Sequence, residues 1–119
     1  MNYLTNYRSI RYADVLLMAA EANNRSGDDS DAQLYLNMVR RRAFGDNDHD
    51  ITSTGSNLTE AIWAERNFEL SMEGHRFFDL VRTGKAAEKI DGFVPGKHEL
   101  FPIPQQEVDI SGLGQNNGY

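Results

Sequence analysis

Among its 119 residues the chain has no cysteine, which excludes disulfide staples, thiol nucleophiles and cysteine-ligated zinc together. Its longest apolar run, Val15 to Ala20, is far short of the roughly 20 residues a membrane-spanning helix needs. The opening Met1-Asn2-Tyr3-Leu4 lacks the basic and then apolar segments of a signal peptide, so an export address, if there is one, lies outside this chain. Cations are in deficit: twelve Lys and Arg against eighteen Asp and Glu, a formal charge of −6 and a pI near 4.9. That balance argues against a nucleic-acid or anionic-membrane partner, because phosphate binding needs a surplus of cations on one face.

What is present is ordinary for a folded domain, 39% hydrophobic and 25% charged residues, and the length suits a single domain spanning residues 1–119. The periodicity predicts helices. The first, about Tyr7 to Arg25, is apolar almost all round, with Ile10, Ala13, Leu17 and Ala20 on one side and Tyr12, Val15, Leu16, Ala19 and Ala22 over much of the rest. Arg11, Asp14, Glu21 and Arg25 form one narrow polar stripe. Such a helix expects neighbours on several sides.

A turn at residues 23–31 leaves Gly27 to supply positive φ. In the second helix, about Ser30 to Ala43, Ala32, Tyr35, Leu36, Val39 and Ala43 make one clean apolar face. The acidic residues before it and Arg40, Arg41 and Arg42 at its end suit the helix dipole. Residues 45–56 read as a surface loop. Asn57 is expected to cap a third helix, with Glu60 reaching back to it. That helix runs to about Glu73, and Gly74 separates it from a fourth, about His75 to Val81, that ends near Gly84.

Gly27 and Gly74 are 47 residues apart, and omitting the twelve loop residues leaves 35, close to the period of about 34 residues in tetratricopeptide units. The expected fold is therefore all-α: two antiparallel, tetratricopeptide-like helical hairpins over about 7–84, then an extended, irregular tail over about 98–119. In the tail Pro102 and Pro104 fix φ and withhold donors. Residues 101–104 should be extended, residues 105–108 a short turn, and Tyr119 an anchor for the end.

Three blocks of sequence carry a resemblance. They are Arg11-Tyr12-Ala13-Asp14-Val15-Leu16-Leu17-Met18-x-Ala20-Glu21-Ala22, then Glu65-Arg66-x-x-Glu69-Leu70-x-x-Glu73-Gly74-His75-Arg76-x-x-Asp79-Leu80-x-Arg82-x-Gly84, and Leu100-Phe101-Pro102-Ile103-Pro104 with the closing Asn116-Asn117-Gly118-Tyr119. In this order they resemble the C-terminal region of the SusD/RagB family of outer-membrane nutrient-binding lipoproteins. Asn67 and Asn117 depart from the family pattern, which commonly has Arg and Pro there. The stretch between residues 85 and 98 is short.

The resemblance implies a surface-exposed, lipid-anchored protein that binds an oligosaccharide, or in some members a peptide, for a TonB-dependent, SusC-like transporter. It also implies that the lipidated cysteine and most ligand-contacting loops lie outside this chain. This region would then serve mainly as scaffold and transporter-facing surface, without catalytic residues, metal or cofactor. The alternative is a freestanding helical-repeat adaptor for a protein partner.

The residues themselves point to a structural charge network. Glu65 and Glu69 share a helical stripe with Leu58, Ala61, Ile62, Phe68 and Met72, and carboxylates in an apolar stripe are costly unless paired. Arg76 or Arg82, carried back after Gly74, are the expected partners of Glu65 and Glu69. Asp79 is expected to receive Arg66 or a backbone amide. A hydrolytic or metal site at Glu73, His75 and Asp79 has little support, with one histidine in the cluster and no His-x-x-x-His pair. Trp63, Phe77 and Phe78 read as core rather than as sugar platforms, and residues 28–31 as a solvated turn rather than a calcium loop.

Overall fold

A computed structural model describes residues 9–119; Tyr3, Tyr7 and the expected start of the first helix lie outside them. The described residues form six helices and no strand: α1 Tyr12–Ser26, α2 Asp29–Phe44, α3 Gly55–Glu69, α4 Arg76–Arg82, α5 Ala86–Lys89 and α6 Gln105–Ser111. The all-α expectation holds among these residues. The chain divides into two compact units, Met1–His75 and Arg76–Tyr119.

In the first unit α1, α2 and α3 each pack on the other two. Gly27, at φ +90°, ends α1 and returns its amide to the last turn, and Asp28 caps α2 by accepting from the Asp31 amide at 3.0 Å. This two-residue turn makes α1 and α2 antiparallel. α3 then runs parallel to α2. The N-terminal ends meet where Asp29 accepts from the Gly55 amide at 2.7 Å, and the C-terminal ends meet where Arg42 pairs with Glu69.

Residues 45–54 make the parallel arrangement possible, because ten extended residues reach about 33 Å whereas the sixteen residues of α2 span about 24 Å. The segment climbs back along α2 in a fixed register. Arg40 Nε donates to the His49 carbonyl at 2.7 Å, Arg41 pairs with Asp50, and Gln33 donates to the Ser53 carbonyl at 2.9 Å. Asn37 Nδ2 donates to the Ile51 carbonyl at 2.9 Å while its Oδ1 accepts from the Ile51 amide at 2.8 Å. Ile51 packs against the core, so this is a strapped return segment rather than the plain surface loop expected. Asn37→Ala should cost about 1–3 kcal/mol, because both backbone groups of Ile51 lose their partner. A thermal melt checks this as a fall of several degrees.

The core comprises Leu16, Leu17 and Ala20 of α1, Ala32, Leu36 and Val39 of α2, and Leu58 and Ile62 of α3. Of the face predicted for α2, Ala32, Leu36 and Val39 are buried and Tyr35 partly so, while Ala43 is exposed. α1 differs from expectation: Ile10, before the helix, and Tyr12, Val15 and Met18 within it are exposed, while Asp14, Glu21 and Asn24, three polar residues of one side, are buried. α3 also begins three residues earlier than expected. Thr54 stands at its N-cap without a side-chain bond, so the Asn57–Glu60 capping box does not start it. Phe68 and Met72, assigned to its apolar stripe, are exposed.

In the second unit, Leu80 and Ala86 are buried. The tail is extended over residues 101–104, as the prolines require. Residues 105–108 are the start of α6 rather than an isolated turn, and Gly112 ends that helix at φ +68°. The last residues are tied to the extended segment by side-chain amides. Gln115 both accepts from the Ile103 amide at 2.7 Å and donates to its carbonyl at 2.8 Å, Asn116 donates to the Phe101 carbonyl at 2.6 Å, and the Tyr119 hydroxyl donates to the Leu100 carbonyl at 3.0 Å. Flanking prolines have no amide to offer, so Ile103 is where an amide side chain can hold both backbone groups.

Candidate functional site

Glu65 and Glu69 stand one helical turn apart on α3, and both carboxylates are nearly buried. Their side chains are 7% and 8% exposed. Arg40 Nη1 meets Glu65 Oε2 at 2.6 Å. Glu69 is held from two sides: Arg11 Nη1 reaches its Oε1 at 2.9 Å, and Arg42 reaches its Oε2. The cations come from α2 and from the residue before α1, a task that the sequence reading gave to Arg76 and Arg82. The physical reason is the parallel course of α2 and α3, which brings the arginine-rich end of α2 alongside the acidic end of α3. A reading that assigned Arg40 to Arg42 to the helix dipole alone missed them. Three consecutive arginines fan widely around a helix: Arg42 serves α3, Arg41 the return segment, and Arg40 both.

Arg11 is the hinge of the network. Its Nη2 also donates to the Glu69 carbonyl at 2.7 Å, one of the carbonyls left open at the end of α3, and Nε and Nη2 embrace the Glu73 carboxylate at 2.7–3.0 Å. The guanidinium of Arg11 holds the Glu73 carboxyl below its ordinary value of 4.5, and the two glutamates in turn raise Arg11. Asp50 is lowered by Arg41, and Asp46 by the hydrogen bond from His49.

Carboxyls lowered on folding add stability above their ordinary values, 4.5 for Glu73 and 3.8 for the two aspartates, and that stability is lost as pH falls through their folded values. Urea midpoints should therefore drop between pH 6 and pH 3. Arg11→Leu should flatten part of that dependence, and an unchanged profile in the variant would remove Glu73 from the account.

Arg66, on the same helix, pairs with Asp14 of α1: Nη1 to Oδ1 is 2.8 Å, with side chains 6% and 8% exposed. The remaining polar groups of α1 are also partnered. Arg25 pairs with Glu21 at 2.9 Å, and Asn24 donates to Asp29 at 2.7 Å and to the Gly55 carbonyl at 3.1 Å. Thus α1 contacts α3 through charge at one end and amides at the other. In the second unit Arg82 Nε meets Asp79 Oδ1 at 2.8 Å, a local pair one turn apart on α4, and Arg76 is exposed. Of the six residues singled out, Glu65, Arg66 and Glu69 belong to α3 and Arg76, Asp79 and Arg82 to α4.

Chemically, these groups lock helices and are poorly suited to proton transfer. Glu73, the acid of the hydrolytic alternative, is a carboxylate committed to Arg11 with a lowered pKa, which makes it a weak base. Among the described residues no group of three His, Asp or Glu is arranged to hold a metal ion, and no helix is long and apolar enough to cross a membrane.

The second unit has a shallow cavity of about 320 Å³ whose lining includes Phe77, Asp91, Phe93, His98, Phe101 and Tyr119. Phe77, assigned to the core, lines this cavity, and Phe78 is exposed. The grouping could not be read from spacing, because its members are scattered over 43 positions from α4 to the last residue.

The model of the SusD family matches residues 1–96. Two SusD-like proteins of Formosa agariphila are similar to the chain. One is 33% identical over 99% of this chain and 26% of its own length, the other 38% over 97% and 26%. Among solved structures, a SusD-like protein from Bacteroides fragilis superposes with a TM-score of 0.83 at 30% identity, covering 97% of this chain and 26% of that one. A SusD homolog from Bacteroides thetaiotaomicron gives 0.80 at 35% identity over 92% and 25%. The chain spans about a quarter of the length of these relatives.

Proposed function

The chain belongs to the SusD family, and from that membership we propose that it is the scaffold region of a cell-surface receptor that captures oligosaccharide for a TonB-dependent transporter. Family membership over residues 1–96 carries the reading. The charge network supports it physically. Two nearly buried glutamates and a buried Asp14–Arg66 pair, each matched across helices, give α1, α2 and α3 one permitted arrangement, as a platform for binding loops requires. The protein works by non-covalent capture and hand-over, without a chemical step. It sits at the outer membrane, facing outward on a lipid anchor carried elsewhere in the protein.

Calorimetry on the full gene product with a panel of starch, other plant-glycan and algal-glycan oligosaccharides tests this. Saturable binding of at least one class supports capture. Binding of no saccharide, together with tight binding of a helical protein partner, would instead establish the adaptor reading. A peptide ligand would keep the receptor role and replace its substrate.

A further inference from the structure

We propose that the aromatic cavity of the second unit is a subsite for one neutral sugar ring; this rests on the capture reading above for its choice of ligand class. The cavity is at the small end of ligand sites, about 320 Å³, a size for one ring of an oligosaccharide rather than a long segment. Its walls are aromatic and partly open. Phe101 is 65% exposed and Tyr119 45% exposed, and Phe101 is braced against Phe77 at 5.7 Å between ring centroids. Exposed, braced rings offer the flat apolar face against which the C–H side of a pyranose stacks.

The polar groups complement hydroxyls. Asp91 is an acceptor-only carboxylate. His98 accepts from the Val94 amide at its Nδ1, at 3.0 Å, so the neutral ring carries its proton on Nε2 and is a donor there. One acceptor, one donor and an aromatic floor match a polyol. A cationic ligand, the other guest of aromatic cavities, is disfavoured because the Lys97 ammonium already sits over the Tyr119 ring at 4.6 Å and would repel it. The site is also held in place: the Tyr119 hydroxyl is fixed to the Leu100 carbonyl, and Asn116 to that of Phe101.

Saturation-transfer NMR and chemical-shift titration of the 119-residue chain with maltose, cellobiose and xylobiose test the proposal. Tetramethylammonium serves as the cationic control. The expected result is saturable binding of at least one disaccharide in the millimolar range. Phe101→Ala should weaken it at least tenfold and Asp91→Asn at least threefold, with Phe44→Ala, an exposed ring of the first unit, leaving it unchanged. Melting curves of the Asp91→Asn protein, altered at an exposed loop position, should match those of the parent chain.

Three results would overturn the subsite: no saturable binding of any of the three disaccharides, affinity untouched by both cavity variants, or tetramethylammonium binding more tightly than sugar. Glycan capture by the full gene product that persists with Phe101→Ala and Asp91→Asn would remove the subsite while leaving the receptor reading in place. Loss of capture from the unaltered gene product would instead strike the receptor reading.

Discussion

Arg40→Met should destabilise the three-helix unit by about 3–5 kcal/mol, the cost of leaving a buried carboxylate without its cation. Glu65 is the group at risk: its side chain is 7% exposed, and Arg40 meets its Oε2 at 2.6 Å. The same arginine also donates to the His49 carbonyl and lies over the Phe44 ring at 5.2 Å, so its removal loosens the return segment as well. Equilibrium urea denaturation at pH 7 measures the loss. Arg76→Met, on an exposed side chain of the second unit, should stay within about 0.5 kcal/mol. A large effect at position 76 and none at position 40 would reverse the assignment of partners.

Leu17→Ala should cost about 2–5 kcal/mol, the range for truncating a buried leucine into a site that cannot fully collapse. Leu17 is fully buried where α1 meets α2 and α3. Val15→Ala, two residues away on the outward face and 43% exposed, should change stability by no more than about 0.5 kcal/mol. The contrast matters because α1 is apolar on both sides. A heavy loss at Val15 with little at Leu17 would mean that the helix is turned the other way. Thermal melts of the two variants separate the cases, since 1 kcal/mol is worth roughly 4–8 °C in a unit of this size.

The orientation of α1 shows where sequence reasoning stops. The face of α2 was legible because its apolar residues recur at helical spacing with polar residues between, and Ala32, Leu36 and Val39 are its buried apolar positions. In α1 the pattern has too little contrast to choose a face, and its polar stripe is half buried. Asp14 faces inward where Arg66 meets it, and Arg66 lies 52 positions away. Distant ion pairs leave no local trace, so the sequence shows that Glu65 and Glu69 need cations but not which ones.

Residues 45–54 were opaque for a related reason. Their polar composition is that of a solvated loop, yet after a turn at residues 45–49 one apolar residue, Ile51, and side chains from α2 hold the segment along α2. That course sets α3 parallel to α2 and thereby selects Arg40 and Arg42 over any later arginine. In the tail, by contrast, the prolines announced an extended segment that the structure contains. The amide staples from Gln115 and Asn116 could not be foreseen, because a side-chain amide fits many partners.

The central claim is that the acidic face of α3 is clamped by arginines of α2, and a double-mutant cycle on Arg40 and Glu65 tests it most directly. With Arg40→Met, Glu65→Met and the double variant, the account predicts a coupling energy of about 1–3 kcal/mol, the double variant being clearly more stable than the sum of the single losses implies. Losses that add to within about 0.3 kcal/mol would show that the two side chains do not depend on one another and would contradict the clamp.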